Sequence, residues 1–305
     1  MSTAALSTAS RHDGGGFSAV VDRLSGYVLT APVLAVLVLL MAYPLGYAVW
    51  LGFVQWKPGA SVWIGVDNYV RLFTDPLFWN ALRNTVFYTF WNVTLGTALS
   101  LALALLMNRP GIAARLLRLS VFMPVIVSTP VAALAWLWLF DVDYGLINRT
   151  LIDLGIVARP VPWLNSPFYS RWSMVIVNVW LGTGLSAMLF LAALQGVPKE
   201  LYEAATLDGA NPWHSFRAVT LPHIRPTLVV VMIIKLIGSF KTFDQIFIMT
   251  GGGPLYRSET ILIYLYRQGF EYFDFGFAAA VGIVFLVIVA ALSLGQAHVL
   301  KDRRR

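Results

Sequence analysis

Six runs of mostly apolar residues, each about twenty long, alternate with polar connections and leave this chain few folds to choose from. A helix of roughly 20 apolar residues spans the ~30 Å hydrocarbon core of a bilayer and satisfies its own backbone there. The runs cover 27–50, 85–107, 119–140, 172–194, 227–248 and 275–294. With 58% hydrophobic and 12% charged residues, against about 25% charged in a soluble domain, too little polar surface exists to cover a globule. The predicted fold is an all-α integral membrane protein with six transmembrane helices. Its expected divisions are a flexible tail at 1–26, a first helix and loop at 27–84, a core at 85–300 and a basic tail at 301–305.

The first run is longer than the roughly 7 to 15 residues of a signal-peptide core and lacks a small-residue cleavage site, so it reads as an uncleaved anchor. The net charge of +7 does not point to nucleic acid, because the basic residues cluster at the ends of apolar runs. Six spans put both termini on one side. That side carries twelve Lys and Arg, at positions 11, 23, 109, 115, 118, 199, 217, 225, 301 and 303–305, and the other carries eight. The positive-inside rule therefore predicts cytoplasmic termini. Cysteine is absent, which excludes disulfides and thiolate chemistry.

Between the fourth and fifth runs lies a polar interlude, 200–226. Asn211 is a good N-cap, Pro198 and Pro212 suit first helical positions, and Gly209 tolerates a left-handed backbone. Two short helices joined at Gly209 are expected, offering a docking surface rather than a core, with Pro222 and Pro226 breaking the chain before the next span.

Within this interlude, Glu203-Ala204-Ala205, three residues, Gly209, nine residues, Val219, one residue and Leu221-Pro222 resemble the EAA signature of ABC importer permeases. Only Val219 departs from the family pattern, which has Ile there. The resemblance implies that 198–222 is a cytoplasmic coupling loop seated on an ATPase, with Glu203, Ala204, Ala205, Asp208, Gly209, Leu221 and Pro222 at that contact. The run Thr250-Gly251-Gly252-Gly253-Pro254 reads most simply as a tight turn. It is also similar to the carbohydrate-uptake branch of these permeases, of maltose and glycerol-phosphate type, as is Tyr43-Pro44. The resemblance implies a plasma-membrane complex of a bacterium or archaeon, with a second homologous permease, two ATPase subunits binding ATP and Mg, and an extracytoplasmic solute-binding protein. No cofactor is expected on this chain.

The residues agree with that division of labour. No G-x-x-x-x-G-K-[ST] loop is present to cradle phosphates, and the four histidines are too dispersed to form a metal site from sequence neighbours. Gly182-Thr183-Gly184 imitates a dinucleotide fingerprint inside an apolar run, where small residues serve close helix packing.

Polar groups at membrane depth mark the candidate solute path. Lys235, Lys241 and Asp244 fall in the fifth run, and Lys241 and Asp244 are spaced to pair on one helical face. That face is a structural ion pair, a snorkelling lysine, or a lining of the route. Asn178, Trp180, Phe240, Phe243 and Phe247 offer hydrogen bonds and ring faces for a sugar, or simply packing. Pro124 and Pro130 are expected to kink the third span. A secondary transporter would call for inverted repeats, which are not seen, and a membrane enzyme for clustered catalytic groups, to which only Lys241 and Asp244 come near.

Overall fold

The computed structural model describes residues 29–57 and 59–302, with side chains up to residue 295. The expected tail at 1–26 and most of the basic tail at 301–305 lie outside the described residues. The chain divides into two units, Met1–Trp50 and Leu51–Arg305.

In the first unit, helix α1 (Leu29–Leu51) is apolar on every face and almost wholly exposed. A π-helical turn at Val38–Ala42 interrupts it. Tyr43, Tyr47 and Trp50 follow as a row of rings with centroids 6.5 and 5.5 Å apart.

The second unit begins with a small hairpin, β1 (Val54–Gln55) against β2 (Val62–Trp63), antiparallel with Val54 opposite Trp63. Helix α2 (Asp67–Thr74) follows, and then the 32-residue α3 (Pro76–Met107). Hydropathy placed the start of α3 at residue 85, but the Asp75 carboxylate accepts from Leu77 N at 2.8 Å and Pro76 supplies a ready-made first φ. Capping therefore extends α3 through a stretch whose composition is mixed.

The third run is not one kinked span. It forms α4 (Ile112–Ile126) and α5 (Thr129–Leu139), bent by 108°. Pro124 lies inside α4, and Pro130 opens α5, where its missing N–H costs nothing. Helix α6 (Leu146–Asp153) leads to α7 (Tyr169–Gln195). Short α8 (Lys199–Leu207) precedes α9 (Pro212–Phe240). The fifth run ends at Phe240, and α10 (Asp244–Thr250) starts anew after three residues. Helix α11 (Ile261–Tyr266) continues through a π turn, Arg267–Glu271, and α12 (Phe275–Asp302) closes the described chain. Among the described residues five helices are long and apolar enough to cross a membrane, or six when the bent pair counts as one span.

Helices α3, α7 and α9 form the centre of the second unit. Phe190, Leu194, Met107 and Ile224 make a buried cluster at the end where α8 lies. Tyr88, Met174, Val177 and Ile246 make another toward the opposite end, and Leu72, Phe78, Tyr264 and Phe277 a third beside it. The Gly182-Thr183-Gly184 run serves close packing: a Cβ on Gly184 would run into Val121 O and stand 2.6 Å from Val125 Cγ2, so α7 and α4 touch nearly backbone to backbone.

Candidate functional site

The polar interlude builds what its local chemistry dictates. Asn211 Oδ1 accepts from His214 N at 2.8 Å and Pro212 opens the next helix. Gly209 adopts φ +74°, a left-handed turn that an L side chain would strain. Pro198 caps α8 rather than opening it. The Tyr202 hydroxyl, 2.9 Å from Thr220 Oγ1, ties α8 down, and its ring packs on the Leu194 cluster. Glu203, Ala204, Asp208 and Gly209 are exposed and Ala205 is half-buried. Leu207 is 90% exposed and Trp213 66%, which leaves the tip of this turn apolar and open. Leu221 and Pro222 sit apart from it, on α9. Pro222 and Pro226 do not break the chain as expected. A π-helical turn at Phe216–Thr220 widens the helix ahead of Pro222 and relieves the clash of the proline ring with the preceding turn.

Between the middle portions of α3, α7 and α9 an open cavity of about 410 Å³ is lined by Asn92, Asn178, Gly182, Ser186, Lys235, Lys241, Thr242, Asp244 and Gln245. Val127 and Thr129, from the break between α4 and α5, complete one wall. Lys235 is only 5% exposed, and its Nζ donates to Gly182 O at 3.0 Å. A Cβ on Gly96 would stand 2.8 Å from that nitrogen and one on Gly182 3.5 Å, so two glycines form the slot that seats it. Asn92 Nδ2 donates to Ser239 Oγ at 2.6 Å, and Ser239 Oγ donates to Lys235 O at 2.7 Å. Asn92 Oδ1 is buried with no hydrogen-bond partner. Across the cavity, Asn178 Nδ2 donates to Thr242 Oγ1 at 2.9 Å, and Gln245 Nε2 to Met174 O at 2.8 Å.

Five of the eight candidate path residues, Asn178, Lys235, Lys241, Phe243 and Asp244, thus come together on one cavity. Trp180, Phe240 and Phe247 do not line it: Trp180 sets its ring against Trp136 at 5.6 Å, Phe240 is buried against Phe285 at 5.9 Å, and Phe247 stacks on Phe243 at 5.3 Å. The expected Lys241–Asp244 pair is not formed, because α9 ends before Lys241 and the two residues no longer share a helical face. Among the described residues the ion pairs are Arg71–Asp274, Arg267–Glu259 and Arg267–Glu271. Asn92, Ser186, Thr242 and Gln245 escaped the sequence reading. Asn92 was the nearest to legible, as an amide inside an apolar run. Such a wall offers hydrogen bonds, two lysines and one carboxylate, and no group of three metal-ligating side chains occurs among the described residues.

The glycine run after α10 makes a stitched turn. Gly251 (φ +57°) and Gly252 (φ +89°) take left-handed backbones, and Asn84 Nδ2 donates to the carbonyls of Tyr256 and Glu259 at 3.1 and 2.9 Å. The Glu259 side chain is fully buried against the Arg267 guanidinium. Burial pushes its carboxyl up to about 7 although Arg267 lies beside it.

Residues 95–305 match the model of the binding-protein-dependent transport system inner membrane component family. The chain belongs to that family. Among its relatives, the lactose transport system permease protein LacF of Rhizobium radiobacter is 32% identical over 285 residues, covering 92% of this chain and 95% of that one. The arabinooligosaccharides transport system permease protein AraP of Bacillus subtilis is 35% identical over 275 residues, covering 89% and 87%. A bacterial alginate ABC transporter, solved in complex with an alginate pentasaccharide-bound periplasmic protein, shares the fold with a TM-score of 0.80 at 24% identity, covering 93% and 96%. This permease is accordingly a multi-pass transport subunit, and ATP hydrolysis belongs to a separate subunit.

Proposed function

We propose that the permease forms one half of a heterodimeric pore that imports a sugar, an oligosaccharide or a polyol derivative such as a glycerol phosphate. A solute-binding protein delivers the solute from outside, and two ATPase subunits drive alternating access by pushing on the loop 198–222. ATP and Mg are held by those subunits. Both termini lie on the cytoplasmic face of a bacterial or archaeal inner membrane, as does the coupling loop. Residues 85–300 form the translocating core, and 27–84 supply the first span and the loop that follows it.

The observation that carries this reading is the pairing of two features along α9. One end leads from the exposed turn Leu207–Trp213, and the other presents Lys235 to the polar cavity. A push on Glu203, Gly209 or their neighbours would pass along a helix whose length is about 1.5 Å per residue and reach the cavity wall directly. The lactose and arabinooligosaccharide relatives support a saccharide as cargo, and the periplasmic protein bound to the alginate transporter supports an external donor.

The test is uptake and ATP hydrolysis by the complete transporter in proteoliposomes. Glu203→Ala and Gly209→Ala are expected to leave the complex assembled while uptake per ATP hydrolysed collapses. Undiminished coupled uptake in both variants would overturn the assignment.

A further inference from the structure

A lysine at membrane depth is costly unless its charge is compensated. Lys235 is 95% enclosed by α3, α7 and α9, and it enters none of the ion pairs among the described residues. Its ammonium carries three donors, and the Gly182 carbonyl takes one of them. The slot between Gly96 and Gly182 fixes the direction of the stem, so the ammonium is held in place rather than left to swing. The two other charges on the cavity, Lys241 and Asp244, are exposed, and neither forms an ion pair with Lys235. The enclosed charge is that of Lys235. On the same part of the wall the buried Asn92 Oδ1 lacks a donor. The wall thus supplies spare donors on a fixed cation and, on Asn92, one acceptor without a donor.

We propose that Lys235 is an anion-accepting position, taking a carboxylate, phosphate or sulfonate of the transported solute. The solute class is therefore an acidic saccharide or a phosphorylated polyol rather than a neutral sugar. This rests on the reading of the cavity as the solute route. A neutral hydroxyl would satisfy the spare N–H groups, but it would leave the charge uncompensated in a low-dielectric wall, and only an anion does both. The glycine slot also selects for lysine: the compact ammonium on a straight stem fits where Gly96 leaves room for it.

Binding to the detergent-purified permease–ATPase complex, measured by calorimetry without the binding protein, separates this from the importer reading. The probes are digalacturonate and glycerol 3-phosphate, each paired with a neutral counterpart, the dimethyl ester and glycerol. At least one anionic probe is expected to bind, roughly ten- to hundredfold more tightly than its counterpart, as the loss of a charged hydrogen bond implies. Lys235→Met should remove that difference while leaving the neutral probe unchanged, and Lys235→Arg should restore part of it. Equal binding of a pair, an unaltered preference in Lys235→Met, or binding of neither anionic probe would overturn the proposal. The wild-type comparison decides even if Lys235→Met does not assemble. ATP-driven import by the wild-type transporter of a neutral solute in preference to its anionic counterpart would overturn the anion site and leave the importer standing. Absence of any solute-driven hydrolysis would remove the importer reading, and the calorimetry would still decide this one.

Discussion

The Lys235 ammonium donates to the Gly182 carbonyl at 3.0 Å, joining α9 to α7. On its other flank stands Gly96 of α3, where a single methyl group would come within 2.8 Å of the same nitrogen. Three helices therefore meet on one side chain, and crowding any of them moves the cation.

Gly96→Ala tests that arrangement. The group it meets is the far end of a flexible chain, so the side chain can give way and the fold should stay within about 1 kcal/mol of wild type. Transport should fall severalfold because the ammonium leaves its place. Uptake rate beside thermal stability of the purified complex reads both, and unchanged uptake with lost stability would contradict it.

At Gly184 the obstacle is backbone. A Cβ there meets Val121 O and Val125, and helices α4 and α7 must separate to admit it. Gly184→Ala should destabilise by about 1 to 3 kcal/mol, seen as a lower melting temperature. Gly196→Ala, whose nearest neighbour would be Ala193 O at 3.4 Å, is the control expected to change little.

Asn211→Ala removes the side-chain acceptor for His214 N and should cost about 0.5 to 2 kcal/mol locally. Since the cap holds the start of α9 next to the exposed turn, hydrogen exchange at 212–215 should accelerate. Protection at residues 228–235 should be unaffected.

Glu259 offers a pH test. Its carboxyl, pushed by burial from the ordinary 4.5 to about 7, binds more protons folded than unfolded. Folding stability from this group is therefore greatest below the ordinary carboxylate range and declines as pH rises toward about 7. Thermal inactivation of the complex at pH 5 and pH 8 should show that decline, and Glu259→Gln should flatten it. Arg267→Met, which strips a buried carboxyl of its cation, should move that decline to higher pH, because Arg267 is the group that lowers the carboxyl's affinity for a proton.

Local chemistry explains what was legible. The left-handed Gly209, the Asn211 cap, the ends of α7 and the start of α12 follow from single residues or from the length a bilayer demands, and no distant partner is needed to read them. The start of α3 was legible too, in Asp75-Pro76, but hydropathy alone passed over it because residues 76–84 are of mixed polarity. Prolines misled in both directions. Pro124 and Pro130 bracket a sharp break between two helices where a kink was expected, and Pro222 and Pro226 sit in an unbroken helix behind a π turn. The same ring either breaks or is absorbed according to how neighbouring turns can widen, which depends on packing.

From the sequence came the membrane class, the six apolar runs, the turn at Gly209 and the family signature, because each rests on composition or on spacing within a short stretch. Tertiary structure alone decided which polar groups share a wall. Asn92, Gly182 and Lys235 come from three helices far apart in the chain, and their meeting depends on glycines that let α3 and α7 admit a lysine. The parting of Lys241 from Asp244 was decided the same way, since the helix that would have paired them ends at Phe240 and a new one starts at Asp244. Close packing fixes such positions through contacts between distant residues, and no local pattern records them.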